Sequence, residues 1–358
     1  MRIIAERHVC MKTICINGAA LCGKITGIER YVTEIIKRLD EFIDPKLMNV
    51  EVLCPQDQEI NISHLKNIKV VCIKSTGAKL NQRALKVHLK KHNALYVSLA
   101  GNFCIQKGSI ICIHDIRPWI SKKYDPLSFR IRCGINFISS KLFAKKIVTV
   151  SETSKREICN QLKISPNRVS VIYNGWEHMK YIESDTFIFE RYEALKRGCY
   201  YYSLSSLAPH KNFVWVLENA RANPNDIYAI AGKSWVGNEA DFEINIPPNV
   251  YFLGYVSDAE NKALMENCKA FIHPAKYEGF GITPLEALSC GAKICISNES
   301  CLPEIFRNSA YYFDPDDNTV NLNVLLNNQV NSSTVILEQY TWSNAAQQWF
   351  DLIVKNMQ

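Results

Sequence analysis

Hydrophobic and polar positions divide the chain into two kinds of segment. Short apolar runs, rich in Ile, Val and Tyr, alternate with longer stretches in which apolar residues recur every three or four positions. The first pattern is typical of buried strands and the second of amphipathic helices. Their alternation along the whole chain predicts an α/β fold built on parallel sheets.

The predicted elements fall into two series. Strands of the first series are Thr13–Asn17, Val50–Cys54, Lys69–Ile73, Ala94–Ser98, Ile110–His114, Ile147–Val150 and Val169–Tyr173. Strands of the second are Tyr200–Ser205, Ile227–Ala231, Val250–Leu253, Ala270–His273 and Lys293–Ser297. Helices are predicted at 28–43, 79–92, 127–145, 152–162, 211–221, 258–267, 283–290 and 316–327. Each series predicts one doubly wound, Rossmann-like domain.

The length agrees with two domains, because 358 residues exceed the roughly 250–300 that one hydrophobic core usually holds. A boundary after the Asn174-Gly175 turn gives domains 1–180 and 181–340, which we expect to face each other across a cleft. From Trp342 onward, apolar residues lie on one side of a predicted helix. We therefore expect helix 341–358 to pack back on the first domain.

Charge is distributed unevenly between the halves. Residues 1–180 contain 30 Lys and Arg against 14 Asp and Glu, whereas residues 181–358 contain 12 against 21. The basic half suggests an anionic partner, although a solvated basic face is the alternative. Four cations, Lys79, Arg83, Lys86 and Lys90, are predicted to share one helix face, and segment 129–146 mixes basic with large apolar residues. We expect an anionic membrane surface, with a buried core helix over Phe129–Phe143 as the alternative. Nucleic acid is disfavoured because the stripe lacks interleaved aromatic residues.

The sequence argues against a membrane-spanning protein and against a cysteine-based metal or redox site. No apolar run approaches the roughly 18–20 residues that span a bilayer, so we expect a cytoplasmic protein, peripheral on the inner face of the membrane. The 14 cysteines contain no CxxC pair, and several lie inside apolar runs. This spacing predicts neither a metal site nor a redox role.

The densest chemical information lies between His273 and Leu288. A strand is followed by a loop with two glycines and then by a helix, predicted to begin at Pro284. Such a strand-loop-helix arrangement binds phosphate, because free N–H groups and the helix dipole favour an anion. Glu278 and Glu286 are both placed to accept hydrogen bonds from sugar hydroxyls. Alternatively, Glu286 completes a capping box with Thr283.

This stretch resembles the E-x7-E signature of the retaining GT-B glycosyltransferases of family four. The resemblance covers most of the chain, and its further motifs are Gly27-Ile28-Glu29-Arg30-Tyr31, Ile113-His114-Asp115, Val150-Ser151-Glu152-Thr153-Ser154-Lys155, Tyr173-Asn174-Gly175, Pro209-His210-Lys211-Asn212 and Leu302-Pro303-Glu304. It implies a GT-B architecture of two Rossmann-like domains.

The resemblance implies roles for individual residues of the second half. Glu278 would contact the donor sugar near its reacting carbon, and Glu286 would hold the ribose hydroxyls. Lys211 would neutralise the diphosphate. The backbone amides that would bind sugar and diphosphate are those of Phe280, Gly281 and Ile282.

Two residues of the first half also acquire roles by resemblance. His114 would reach the donor sugar, and Gly27 would let the first loop approach the phosphates. Without the resemblance, His114 is better explained as a structural histidine bound to a backbone carbonyl. The sequence departs from the family at the donor site, where Ser205 and His210 stand at positions that often carry arginine.

The predicted activity is retaining transfer of a sugar from a nucleotide diphosphate sugar to an acceptor hydroxyl. The expected acceptor is a glycan, specifically a lipid-linked oligosaccharide of surface polysaccharide (O-antigen or capsule) biosynthesis. The nucleotide sugar is a substrate, so no cofactor and no metal are expected. Two alternatives stay open: a nucleotide-sugar epimerase of the same architecture, and a non-catalytic nucleotide-sugar-binding subunit.

Overall fold

The computed structural model describes residues 13–22, 26–62, 65–76, 79–102, 106–204, 208–232 and 246–357. The chain divides into two compact units. The first consists of Met1–Val150, Ser154–Tyr173 and Trp342–Gln358, and the second of Ser151–Thr153 and Asn174–Thr341. Ser205 lies outside the described residues.

The first unit is built on a seven-stranded parallel sheet with the order β3-β2-β1-β6-β7-β8-β9. Its strands are β1 (Thr13–Asn17), β2 (Asn49–Pro55), β3 (Lys69–Ile73), β6 (Leu95–Ser98), β7 (Ser109–Cys112), β8 (Ala144–Thr149) and β9 (Val169–Val171). A short antiparallel pair, β4 (Ser75–Thr76) and β5 (Lys79–Leu80), precedes the second helix. The central strand β1 is buried throughout, as expected for a strand covered on both faces.

Helices cover this sheet. They are α1 (Gly27–Phe42), α2 (Gln82–Lys91), α3 (Arg117–Ile120), α4 (Leu127–Phe143), α5 (Glu152–Leu162) and the C-terminal α13 (Trp342–Met357), with 3-10 turns at Ala19–Cys22 and Pro166–Arg168. The last helix packs on α1, where the indole N–H of Trp349 donates to the Tyr31 hydroxyl at 2.6 Å. Both side chains are fully buried, so α13 completes the core of the first unit.

The second unit has a six-stranded parallel sheet with the order β12-β11-β10-β13-β14-β15. Its strands are β10 (Tyr200–Leu204), β11 (Ile227–Ala231), β12 (Val250–Gly254), β13 (Ala270–His273), β14 (Ile294–Ser297) and β15 (Tyr311–Phe313). Its helices are α6 (Ile188–Arg191), α7 (Phe213–Ala222), α8 (Asp258–Asn267), α9 (Ile282–Ser289), α10 (Leu302–Phe306), α11 (Leu322–Leu325) and α12 (Thr334–Gln339), with 3-10 turns at Glu177–Tyr181 and Pro209–Lys211. The prediction of two parallel-sheet, Rossmann-like α/β domains is confirmed.

Several local features differ from the predictions. The helix predicted over 316–327 is reduced to α11, because its start is set by Asn321, whose side chain accepts from the Val324 amide at 3.1 Å. Strand β15 was missed, since three residues are too few to show a period. Lys79 belongs to β5 and not to a helix, because the Asn81 side chain caps α2 after it. The basic stripe on α2 is therefore shortened by one cation.

No helix within the described part of the chain is both long and apolar enough to cross a membrane.

Candidate functional site

Loops at the carboxyl ends of three strands meet in the second unit. They follow β10, β13 and β14, whose carboxyl ends share one edge because the strands are parallel. The amide of Lys276 donates to the carbonyl of His210 at 2.8 Å and joins the first loop to the second. The hydroxyl of Ser300 donates to the carbonyl of Glu278 at 2.7 Å and joins the second loop to the third.

Glu278 is the centre of a charged cluster at this edge. One carboxylate oxygen, Oε1, accepts from the ammonium of Lys211 and lies 2.8 Å from Nε2 of His273. His273 is the last residue of β13, and Lys211 ends the 3-10 turn after β10. The carboxylate is 12% exposed and the ammonium side chain 27% exposed. The fold therefore holds a nearly buried ion pair between the loops that follow β10 and β13.

The cluster fixes the charge of Glu278. Burial alone would raise the pKa of this carboxyl, but the positive charge of Lys211 and the hydrogen bond to His273 outweigh it and hold the pKa well below its usual range. Glu278 is therefore ionised at neutral pH, so it accepts hydrogen bonds and has no proton to give.

A glycine turn leads from this cluster into α9. Gly281 has a φ of +91°, and a Cβ on it would lie 2.8 Å from Cδ2 of Leu302. Only glycine fits this combination of backbone and space. The helix begins at Ile282, two residues earlier than predicted, and its first turn presents N–H groups that have no partner inside the helix. The turn therefore combines a close backbone approach with the positive end of a helix dipole.

Glu286 lies in the second turn of α9. Thr283 is inside the helix, so the alternative of a capping box between Thr283 and Glu286 does not apply. Instead, Oε1 of Glu286 accepts from Nε2 of His178 at 2.9 Å, and His178 is buried. Lys262 holds the segment of His178, since its ammonium donates to the carbonyls of Met179 and Ile182 at 3.0 and 2.8 Å.

His114 and Gly27 belong to the first unit. Nε2 of His114 lies 2.8 Å from the carbonyl oxygen of Leu99, so this nitrogen carries the proton and donates. The ring meets Tyr31 edge-on, with 4.7 Å between centroids. Burial lowers the pKa of His114, although the carbonyl and Asp115 act against it, and the imidazole is neutral at physiological pH. Gly27 is the exposed first residue of α1.

The structure thus brings together part of the predicted set. Lys211 and Glu278 are in contact. Phe280 and Gly281 lie in the turn between Glu278 and α9, and Ile282 and Glu286 lie on α9 itself. Sequence reasoning missed His273 and His178 as partners of the two glutamates. The signal for His273 was its place at the carboxyl end of a buried strand, whereas no local pattern marks His178.

A second feature is an apolar groove in the first unit. It has a volume of about 750 Å³ and lies between α3 and α4. Trp119 of α3 packs against Gly134, where a Cβ would come 3.0 Å from the ring. Five apolar side chains of α4 form a stripe at helical spacing, each between 40% and 65% exposed: Leu127, Ile131, Ile135, Ile138 and Leu142. Phe137, on the other side of the helix, is buried in the core.

Basic side chains accompany this stripe. Lys122 and Arg130 line the groove itself. Arg132 lies over the ring of Phe129 at 5.1 Å, and Lys145 follows the end of the helix with its side chain exposed. The face therefore combines exposed apolar area with positive charge, as predicted for segment 129–146, although the apolar residues that it exposes differ in part from those expected.

Comparison with known proteins finds a family match within the second unit. Residues 185–336 match the family model described as Glycosyl transferases group 1. The O-antigen chain mannosyltransferase RfbU of Salmonella typhimurium is 27% identical over 242 residues, which cover 65% of this chain and 65% of that protein. The O-antigen chain mannosyltransferase B of Escherichia coli is 23% identical across 90% of this chain and 94% of its own length.

Solved structures resemble the whole fold. The sucrose-phosphate synthase of Thermosynechococcus elongatus aligns with a TM-score of 0.71 at 14% identity, covering 96% of this chain and 98% of that one. HepE of Anabaena, solved with UDP-glucose, aligns with a TM-score of 0.67 at 17% identity, covering 96% and 100%. The second unit therefore contains a match to the Glycosyl transferases group 1 family model, in a chain that has the GT-B fold.

Proposed function

We propose that the protein is a retaining glycosyltransferase that transfers a sugar from a nucleotide diphosphate sugar to an acceptor hydroxyl. The observation that carries this proposal is the cluster of Glu278, Lys211 and His273 beside the glycine turn of α9. An ammonium and a helix N-terminus suit the diphosphate, and an ionised carboxylate suits the sugar hydroxyls.

Donor binding in this proposal replaces one ion pair by another. Lys211 leaves Glu278, or shares its three N–H donors, to meet the diphosphate. Glu278 then accepts from the sugar, and it stays oriented because His273 remains bound to the same oxygen. Glu286 accepts hydrogen bonds from the ribose hydroxyls. The hydrogen bond from His178 fixes the orientation of its carboxylate.

The chemical step follows from these charges. The bond between the anomeric carbon and the diphosphate oxygen breaks, and the acceptor oxygen attacks on the same face. The acceptor's proton passes to the leaving phosphate oxygen, since Lys211 and His273 hold the pKa of Glu278 low and make this carboxylate a weak base. Lys211 and the first amides of α9 stabilise the charge that grows on the leaving group, so the site needs no divalent cation. We assign His114, which is neutral, a hydrogen bond to the donor sugar.

The relatives suggest the sugar and the acceptor. Two O-antigen chain mannosyltransferases are similar over most of this chain. We therefore propose mannose as the transferred sugar and a lipid-linked O-antigen oligosaccharide as the acceptor. A lipid-linked acceptor agrees with the exposed apolar stripe of α4 and its flanking cations, which suit an anionic bilayer surface.

A donor panel tests the activity. Purified protein is incubated with GDP-mannose, UDP-galactose or UDP-glucose and a lipid-linked acceptor, and the anomeric configuration of the product is determined by NMR. We expect transfer with retention, and unchanged initial rates immediately after EDTA is added. An inverted product would refute the mechanism. Isomerisation of the donor in the absence of acceptor would indicate an epimerase. Donor binding with no turnover in the presence of any acceptor extract would indicate a binding subunit.

A vesicle experiment tests the membrane surface. Co-sedimentation with anionic vesicles at low salt is expected to fail for the double variant Ile131→Asp, Ile135→Asp, because both exposed side chains lose their apolar character. The matched variant Arg83→Glu, Lys90→Glu changes exposed cations of α2. If only the α2 variant loses vesicle binding, the membrane contact lies on α2 instead. Equal binding of the parent protein to neutral and anionic vesicles would exclude an electrostatic contribution.

A further inference from the structure

Three side chains of metal-binding type meet on one face of the first sheet. Cys15 is the middle residue of β1, Glu51 lies opposite it on β2, and His88 is on α2. Oε2 of Glu51 lies 2.7 Å from Nε2 of His88 and 3.7 Å from Sγ of Cys15. All three potential ligand atoms are within 4.8 Å of one another. A single ion placed between them would need only small side-chain movements to contact each.

A fourth donor stands next to this trio. His92 follows His88 by four residues, which places both imidazoles on one side of α2. Their ring centroids are 4.5 Å apart. Cys15, Glu51 and His88 thus offer three grouped ligand atoms, and His92 is the candidate for the fourth position of a tetrahedral site.

The trio places a carboxylate and a thiol in the core of the first unit. Cys15 is fully buried and Glu51 is 6% exposed, in a core that includes Leu85 and Leu89 of α2. A carboxylate in such surroundings requires compensation. Part of that compensation comes from His88, whose Nε2 lies 2.7 Å from Oε2 of Glu51, and from Asn49, whose Nδ2 donates to Oε1 at 3.3 Å. A bound cation would add to this compensation and would displace the thiol proton.

We propose that Cys15, Glu51, His88 and His92 bind one Zn²⁺ ion, which fastens α2 to β1 and β2. On binding, the S–H bond of Cys15 is replaced by an Sγ–Zn bond, and the proton passes to solvent. A set of thiolate, imidazole and carboxylate donors favours Zn²⁺ over Mg²⁺ or Ca²⁺, which prefer oxygen ligands. Cysteine spacing did not predict this site, because its ligands come from three separate elements.

Cobalt substitution tests the ligand set directly. The reduced, metal-free, full-length protein is titrated with Co²⁺, and thiolate ligation is read from the charge-transfer band in the near ultraviolet. We expect saturation at one equivalent, loss of the band in Cys15→Ser, and displacement by Zn²⁺. The matched control Cys295→Ser removes another fully buried thiol, in β14 of the second unit, and should leave the band intact.

Two further variants keep the test decisive. Cys54→Ser removes the buried thiol of β2 that lies near Cys22, so loss of the band there would move the metal to another cysteine group and overturn the proposal. If Cys15→Ser does not fold, His88→Gln on the helix is measured instead. It should weaken Zn²⁺ binding by more than about tenfold and abolish the rise in Tm that Zn²⁺ gives the parent protein.

A titration without the near-ultraviolet band, or an unchanged Zn²⁺ affinity in His88→Gln, would refute the site. These measurements use neither sugar donor nor acceptor. Their outcome is therefore independent of the proposed transferase activity.

Discussion

The ion pair between Lys211 and Glu278 allows a quantitative prediction. Lys211→Met keeps most of the side-chain volume and removes the charge. Glu278 is then left nearly buried with His273 as its remaining partner. The donor diphosphate simultaneously loses the ammonium that the proposed mechanism assigns to it. Stability and turnover should both fall, for different reasons and by different amounts.

The structure sets the size of each effect. Removing one partner of a fully buried ion pair costs about 3–5 kcal/mol. Lys211 is 27% exposed and His273 still binds the carboxylate, so we expect a smaller loss of unfolding free energy, of about 2 kcal/mol. Loss of a group that stabilises charge in the transition state lowers kcat by about 10²–10³-fold.

The matched control is Lys276→Met. Lys276 lies in the neighbouring loop with the same 27% side-chain exposure, but its partner Asp316 is largely exposed. Such a surface pair contributes at most about 1 kcal/mol. Urea unfolding and steady-state kinetics with the preferred donor distinguish the two variants. Equal losses of kcat in both, or a Lys211→Met enzyme that is destabilised but fully active, would refute the role given to Lys211.

Three further predictions concern other parts of the two units. His178→Phe removes the hydrogen bond that orients Glu286 and should weaken donor binding about tenfold, since a hydrogen bond to a charged group contributes about 1.5–3 kcal/mol. Isothermal titration calorimetry with the nucleotide diphosphate measures this affinity, and an unchanged affinity would contradict the role of this bond. Gly281→Ala should lower the unfolding free energy by about 1–3 kcal/mol, because of its positive φ and the contact with Leu302, and a variant as stable as the parent in urea would disprove this strain. Because burial lowers the pKa of His114 below the 6.5 of an unfolded chain, the unfolded state binds the proton first as pH falls, and stability is lost below about pH 6.5. Tm measured across that range should therefore fall less steeply in His114→Gln, and parallel curves would argue against a depressed pKa.

Much of the secondary structure could be predicted from local patterns. The bounds of β1, β3, β11, β13 and α8 agree with the expectation residue for residue, because a buried strand or an amphipathic helix is recorded in the order of its own residues. The strand, glycine loop and helix between His273 and Leu288 were also predicted from sequence, with an error of two residues at the helix start. The capping residue accounts for that error: Gly281, which needs a positive φ, precedes the helix instead of Thr283.

Only the tertiary structure decided which side chains meet. Glu278 and Lys211 are 67 residues apart, and Glu286 and His178 are 108 apart. Cys15, Glu51 and His88 come from two strands and a helix. Such contacts depend on strand order and on where each crossover places its loop, and neither is encoded in the spacing of neighbouring residues.

The two faces of α4 illustrate the same division. The sequence shows that the helix is apolar around much of its circumference, which fits a buried helix and a membrane-facing one equally well. The fold buries Phe137 and leaves Ile131 and Ile135 exposed, because only one side of the helix meets the sheet. Composition and periodicity determined that the helix exists, and packing against the rest of the first unit determined which of its side chains are exposed.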